Sequence, residues 1–163
     1  MATEKKAAEK RSAADIARRN AAKGAEFERD IMKRFNALAN TRAEALGIPV
    51  PKLPFFHRNR NQAGYAGADI NNPFGLQIEC KNCQKIETEK WWQQVITAAR
   101  QYGGIPVVVW KVQGTRRIQA MLPGTLYGGV MRNEKPVWSP VIIDETTLLE
   151  WVAHRIDVKF QQK

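Results

Sequence analysis

A run of uninterrupted apolar residues, Ile105-Pro106-Val107-Val108-Val109-Trp110, limits the architectures open to this chain more than any other feature. Its β-branched content marks a strand, and the lack of polar alternation means that both faces of that strand must be covered. Before it, Trp91, Trp92, Val95, Ile96, Ala99 and Tyr102 recur at helical spacing over residues 87–102, and Gly103 and Gly104 end the pattern. Upstream, Phe27, Ile31, Phe35 and Leu38 are spaced by four, four and three, which predicts an amphipathic helix from Gly24 to about Leu46, stopped by Gly47, Pro49 and Pro51. A strand is expected around Phe55-Phe56-His57-Arg58, a hairpin over residues 67–81, and a strand at Arg117 to Met121 beside the apolar run. A short strand near Val137 to Ile143 and a helix to about Ile156, with Asp144 as a plausible N-cap, complete the order. The class predicted is α/β, a mixed central β-sheet flanked by helices, with no internal repeat.

The hairpin carries the chemistry. In Leu76-Gln77-Ile78-Glu79-Cys80-Lys81 a period of two sends Leu76, Ile78 and Cys80 inward and Gln77, Glu79 and Lys81 outward. Glu79 and Lys81 then stand roughly 6.6–7 Å apart along the strand. Asp69, on the partner strand, falls opposite Glu79 or one diagonal away, within about 8 Å. Magnesium takes oxygen ligands in octahedral geometry and keeps several waters, so two carboxylates and a substrate phosphate oxygen suffice for a site. Such an ion activates water and offsets charge on a phosphorane, and Lys81 could orient the water or share that charge. A solvated strand face is equally compatible with these three residues alone.

Composition sets the partner. The chain has 163 residues, 44% of them hydrophobic, enough for one domain with a real core. We expect that domain over residues 23–163, preceded by a flexible basic arm over residues 1–22, whose other reading is a frayed extension of the next helix. With 26 Lys and Arg against 16 Asp and Glu, the net charge of +10 is the footprint of a polyanion binder, and DNA is the expected partner. No apolar run approaches a membrane span and no signal-peptide pattern opens the chain, so a soluble, cytoplasmic protein is expected, in a prokaryotic cell or a phage-infected host, with no membrane partner. Cys80 and Cys83 are the only cysteines and form half a zinc ribbon at most, so two ordinary thiols are expected.

Three stretches together resemble the archaeal-type Holliday junction resolvases, a branch of the PD-(D/E)XK nuclease superfamily that includes phage proteins. They are Lys23-Gly24-Ala25-Glu26-Phe27-Glu28-Arg29, Asp69 through Glu79-Cys80-Lys81, and Tyr102-Gly103-Gly104-Ile105-Pro106-Val107. The resemblance covers roughly residues 23 to 121 and implies a restriction-endonuclease-like core in a nuclease domain over residues 23–163. It also implies a Mg2+ site, with Mn2+ as a substitute, and a homodimer acting on four-way DNA junctions. The family's glutamate four residues after the Lys-Gly pair falls on Glu28, its aspartate on Asp69 and its Glu-x-Lys on Glu79 and Lys81. Asp69, Glu79 and Glu28 are thus the implied metal ligands, and Lys81 the residue assisting the attacking water. Glu26 is the rival to Glu28, and only the family match separates them. The chain departs from the family around Ala63-Gly64, where Gln62 and Tyr65 flank the pair and the family often has a serine.

Arg29, Arg58, Arg60, Lys85, Arg116 and Arg117 are the candidate DNA contacts, since a phosphate must be held against the like charge of three carboxylates. Trp91 and Trp92 have two readings: one fills the core while the other is half exposed at a helix end, or they form a dimer interface.

Overall fold

A computed structural model describes residues 12–59, 68–124 and 139–162, with the backbone alone of residues 131–132 and 135–136. The expectations for Arg60, for residues 62–65 and for the arm up to residue 11 lie outside the described residues.

Helix α1 (Ala13–Ala45) begins eleven residues before the expected Gly24. Ser12 caps it, its hydroxyl accepting from Asp15 N at 3.2 Å. The following Ala, Arg and Lys residues have high helix propensity, which carries the helix onward without burial. Packing starts only at Phe27 and continues through Ile31, Phe35, Ala39 and Ala43, one residue per turn. At the far end Gly47, at φ 65°, places its own N–H on Glu44 O and that of Ile48 on Ala43 O, the paired bonds that close a helix on a left-handed residue.

Strands β1 (His57–Arg58), β2 (Ile70–Asn71), β3 (Leu76–Cys83), β4 (Ile105–Val112), β5 (Ile118–Pro123) and β8 (Pro140–Asp144) form one six-stranded sheet in the order β1-β2-β3-β4-β5-β8. Strands β6 (Met131–Arg132) and β7 (Lys135–Pro136) make a separate two-stranded ribbon that the sequence had not suggested. Only β3 and β4 are parallel, joined by the crossover helix α2 (Thr88–Tyr102); every other pairing is antiparallel. The sheet is therefore mixed and flanked by helices, an α/β architecture consistent with a restriction-endonuclease-like core.

Two apolar layers hold it together. On one face α1 and α3 (Glu145–Gln161) press Phe27, Ile31, Phe35, Leu148, Val152 and Ile156 onto Leu76, Ile78, Cys80, Val107, Val109 and Ala120. On the other, α2 covers Val108, Trp110 and Met121 with Trp91, Trp92, Val95 and Ile96. Trp91 and Trp92 are 5% and 4% exposed, so both fill this second layer and neither is the half-exposed residue that the core reading expected. Asp144 caps α3 by accepting from Thr147 N at 2.8 Å, and the helix runs one turn beyond the expected Ile156.

Gly104 locks α2 to the start of the parallel pair. Its φ of 97° is a glycine conformation, and a Cβ there would lie 2.8 Å from Gly75 O, the carbonyl that accepts from Ile105 N. Gly104→Ala is expected to destabilise the fold by about 1–3 kcal/mol, read as a lower urea midpoint. An unchanged midpoint would contradict this account of the turn.

Candidate active site

The hairpin forms because Asn72 builds its turn. Its carbonyl oxygen accepts from Phe74 N at 3.0 Å and Leu76 N at 3.2 Å, while its amide donates to Leu76 O at 2.8 Å. That turn sets Ile70 against Ile78, which brings Asp69 level with Glu79. Asp69 continues the ladder with its side chain: N donates to Ile78 O at 2.9 Å and Oδ2 accepts from Cys80 N at 2.7 Å. Asn59 holds the same strand from its other edge, donating from N to Asp69 O at 2.9 Å and from its amide to Ala68 O at 3.1 Å.

Parity alone sent Glu79 to the face opposite Cys80, and the structure corrects the alternative in which that face is solvated. The outward face of β3 lies under α2, so Glu79 is only 6% exposed. Its Oε1 accepts from Lys81 Nζ at 2.5 Å and from Gln94 Nε2 at 2.9 Å, and Lys81 Nζ also reaches Gln94 Oε1 at 3.3 Å. Gln94 was not anticipated. The only signal for it is a polar residue three positions after Trp91, at the border of the apolar stripe of α2.

Glu28 enters from the opposite layer. It follows Phe27 on α1, its side chain is 12% exposed, and Arg58 Nε lies 2.9 Å from its Oε2 as an ion pair. Glu26, its rival, is exposed. Burial raises the pKa of Glu28, and the charge of Asp69 raises it further, against the opposing pull of Arg58 and Arg29. Burial and Asp69 raise Glu79 in the same way, against Lys81 and Gln94. Three carboxylates thus gather from α1, the residue entering β2 and β3, close enough for Asp69 to act on both others.

Among the described residues, no three acidic, histidine or cysteine side chains are set as they stand to hold a metal ion. The donors nonetheless suit a hard divalent cation: they are oxygens, and burial together with the charge of Asp69 raises the proton affinity of Glu28 and Glu79. Asp69 and Glu79, side by side, are the nearest to a two-carboxylate site. The cysteines stand apart from this chemistry. Cys80 faces the core, where burial pushes its thiol well up, and Cys83 donates to Lys111 O at 3.6 Å.

The basic candidates divide by position. Arg58 pairs with Glu28, and Arg29 is exposed one residue beyond it. Lys85 follows β3 while Arg116 and Arg117 follow β4, all exposed, so they share the carboxyl end of the parallel pair. In open α/β sheets that end is where ligands bind.

The raised proton affinity of Glu28 has a measurable consequence. Without metal, folding takes up a proton between the ordinary value of 4.5 and the raised one, so the stability this group supports is lost as pH rises through that window. Glu28→Gln removes the buried charge and leaves Arg58, half exposed, to solvent. In EDTA the variant is expected to melt above the wild type at pH 8, with the gap closing toward pH 4. A variant less stable at pH 8 would contradict the reading.

A mixed sheet with an aspartate just before β2 and Glu-x-Lys on β3 is consistent with the restriction-endonuclease-like core of the PD-(D/E)XK superfamily. The chain belongs to the family described as phage putative PDDEXK endonuclease, whose family model matches residues 19–160. It is thus an endonuclease of that superfamily, whose members generally use Mg2+ or Mn2+. Comparison with curated proteins and with solved structures gave no match. No described helix is long and apolar enough to cross a membrane.

Proposed function

We propose that this endonuclease is Mg2+-dependent and cuts branched DNA, with four-way junctions as its preferred substrate. The observation that carries the catalytic part is that Asp69, one residue before β2 and bonded to Cys80 N, comes level with Glu79 of β3, with Lys81 Nζ on Glu79 Oε1. Asp69 and Glu79 would hold the ion, and Glu28 would complete or support the site. The ion, when bound, supplies Lewis-acid activation and charge neutralisation at the scissile phosphate. Gln94 and Lys81 fix the rotamer of Glu79, so its carboxylate is positioned before substrate arrives. Lys81 orients the attacking water and faces the charge that builds on phosphorus. Water attacks in line, leaving a 5′-phosphate and a 3′-hydroxyl. Arg58 and Arg29 hold the phosphate against three carboxylates, while Lys85, Arg116 and Arg117 contact the backbone at the strand ends.

The junction preference rests on the motif combination of residues 23–29, 69–81 and 102–107. A junction has two symmetry-related strands to cut, and a two-fold homodimer presents two identical sites to them. The test uses the full chain on labelled four-way junctions and on linear duplex of the same sequence, with Mg2+ and with EDTA. Paired, Mg2+-dependent cuts near the branch point are expected. Preferential cutting of linear DNA would exclude the junction reading and leave a nicking or restriction-type enzyme. Junction binding without cutting in either Mg2+ or Mn2+ would leave only a branched-DNA-binding protein.

A further inference from the structure

We propose that the first three turns of α1, residues 13–23, are a docking face for duplex DNA, along which one sugar-phosphate strand lies beside the carboxylate site. The proposal rests on the nuclease reading above and adds a surface to it. Every residue from Ala13 to Lys23 is exposed, whereas Phe27, one turn further, is 1% exposed. The helix is fastened to the body at Lys23, whose Nζ donates to Gln113 Oε1 at 3.1 Å and whose carbonyl accepts from Asn82 Nδ2 at 3.1 Å. Asn82 and Gln113 stand at the ends of β3 and β4. The free turns therefore project past the same end of the sheet that carries Lys85, Arg116 and Arg117.

Helical geometry decides which side of the projection faces DNA. Seven residues make two turns less about 20°, so Ala21 and Ala14 repeat the azimuth of Glu28, and Ala17 falls within about 20° of it. The face that at Glu28 turns toward the other carboxylates is thus continued by methyl groups alone, which let a strand lie close to the helix. Arg18 and Asn20 flank this face at about 80° on either side, placed to bond phosphate oxygens. Arg19 points the opposite way. Arg18, Arg19 and Lys23 outweigh Asp15, the one acidic residue of the segment, so its charge complements a polyanion. The Arg18–Asp15 pair, at 3.7 Å with side chains 81% and 52% exposed, is weak enough for a phosphate to displace. From Glu28 to Ala14 the face runs about 21 Å, the length of about six base pairs.

The test measures duplex and junction binding by anisotropy, without divalent metal, using the full chain in an Asp69→Asn background. Three variants each lower the net charge by one: Arg18→Gln and Ala21→Glu on the proposed face, and Arg19→Gln on the opposite one. All three sites are exposed, and unchanged circular dichroism would verify the helix. Arg18→Gln and Ala21→Glu are expected to weaken binding about fivefold, and Arg18→Gln to lower the salt slope by about 0.9. Arg19→Gln is expected to change affinity by less than about twofold. The losses should vanish on DNA whose arms are shorter than about six base pairs. Equal losses from all three would mean diffuse attraction without a docking face, and no loss would mean that the helix does not touch DNA; either result overturns the proposal while leaving the nuclease reading intact. A parent protein that binds no DNA at all overturns the nuclease reading, and the docking face with it.

Discussion

Asp69→Asn and Glu79→Gln are each expected to lower DNA cleavage by about a thousandfold while leaving DNA binding intact or tighter. The size follows from where the charge sits. Both side chains are fixed before substrate arrives, Asp69 by Cys80 N at 2.7 Å and Glu79 by Lys81 and Gln94, so a neutral amide of the same shape removes charge without removing position. Asn at residue 69 keeps an oxygen for Cys80 N. Binding is expected to survive because the proposed phosphate contacts are arginines and lysines elsewhere, and to gain from the loss of a repelling carboxylate. The assay compares single-turnover cleavage with anisotropy on the same DNA. Cleavage at wild-type rate in either variant would remove the hairpin from the mechanism, whereas parallel loss of binding and cleavage would point to damaged folding.

Phe74→Ala is expected to cost about 3–5 kcal/mol, a large part of the stability of a domain this size. Phe74 is 2% exposed and stacks on Phe56 at 5.1 Å, with Phe160 at 5.6 Å and Phe55 at 5.7 Å. These rings join the segment entering β1, the β2–β3 turn and the last turn of α3, three places far apart in sequence. Loss of the Phe74 side chain leaves a cavity at their junction, and the turn above it positions Asp69. The urea midpoint should fall steeply, and Phe74→Leu should recover part of it. A midpoint unchanged by the alanine would show that these rings do not hold the hairpin.

How much of this was legible varies from element to element. Strand β4 and helix α2 were readable because their patterns state their burial directly: β4 is apolar on both faces and α2 has a wide stripe between clear ends. The start of α1 was not, since alanine-rich sequence codes helix through propensity without any packing signal to mark where the helix becomes necessary. The hairpin was legible as parity, and Glu79 and Lys81 do share a face. What parity omits is the layer above that face. A period of two reports alternation but not whether the alternate side meets water or a helix, which is why the burial of Glu79 and its bond to Gln94 went unseen.

Residue order and periodicity settled the α/β class, the succession of α2, β4 and β5, and the placement of Asp69 within one diagonal of Glu79, because each depends on neighbours a few positions apart. Three-dimensional packing settled the rest: that α2 closes over Glu79 and supplies Gln94, and that Arg58 comes to Glu28. It also settled that Asp69 raises the proton affinity of Glu28 and Glu79 alike. Those approaches join residues 28, 58, 69, 79 and 94 across two helices and three strands. The free energy that brings them together is spread over two apolar layers, so no local stretch of sequence contains it.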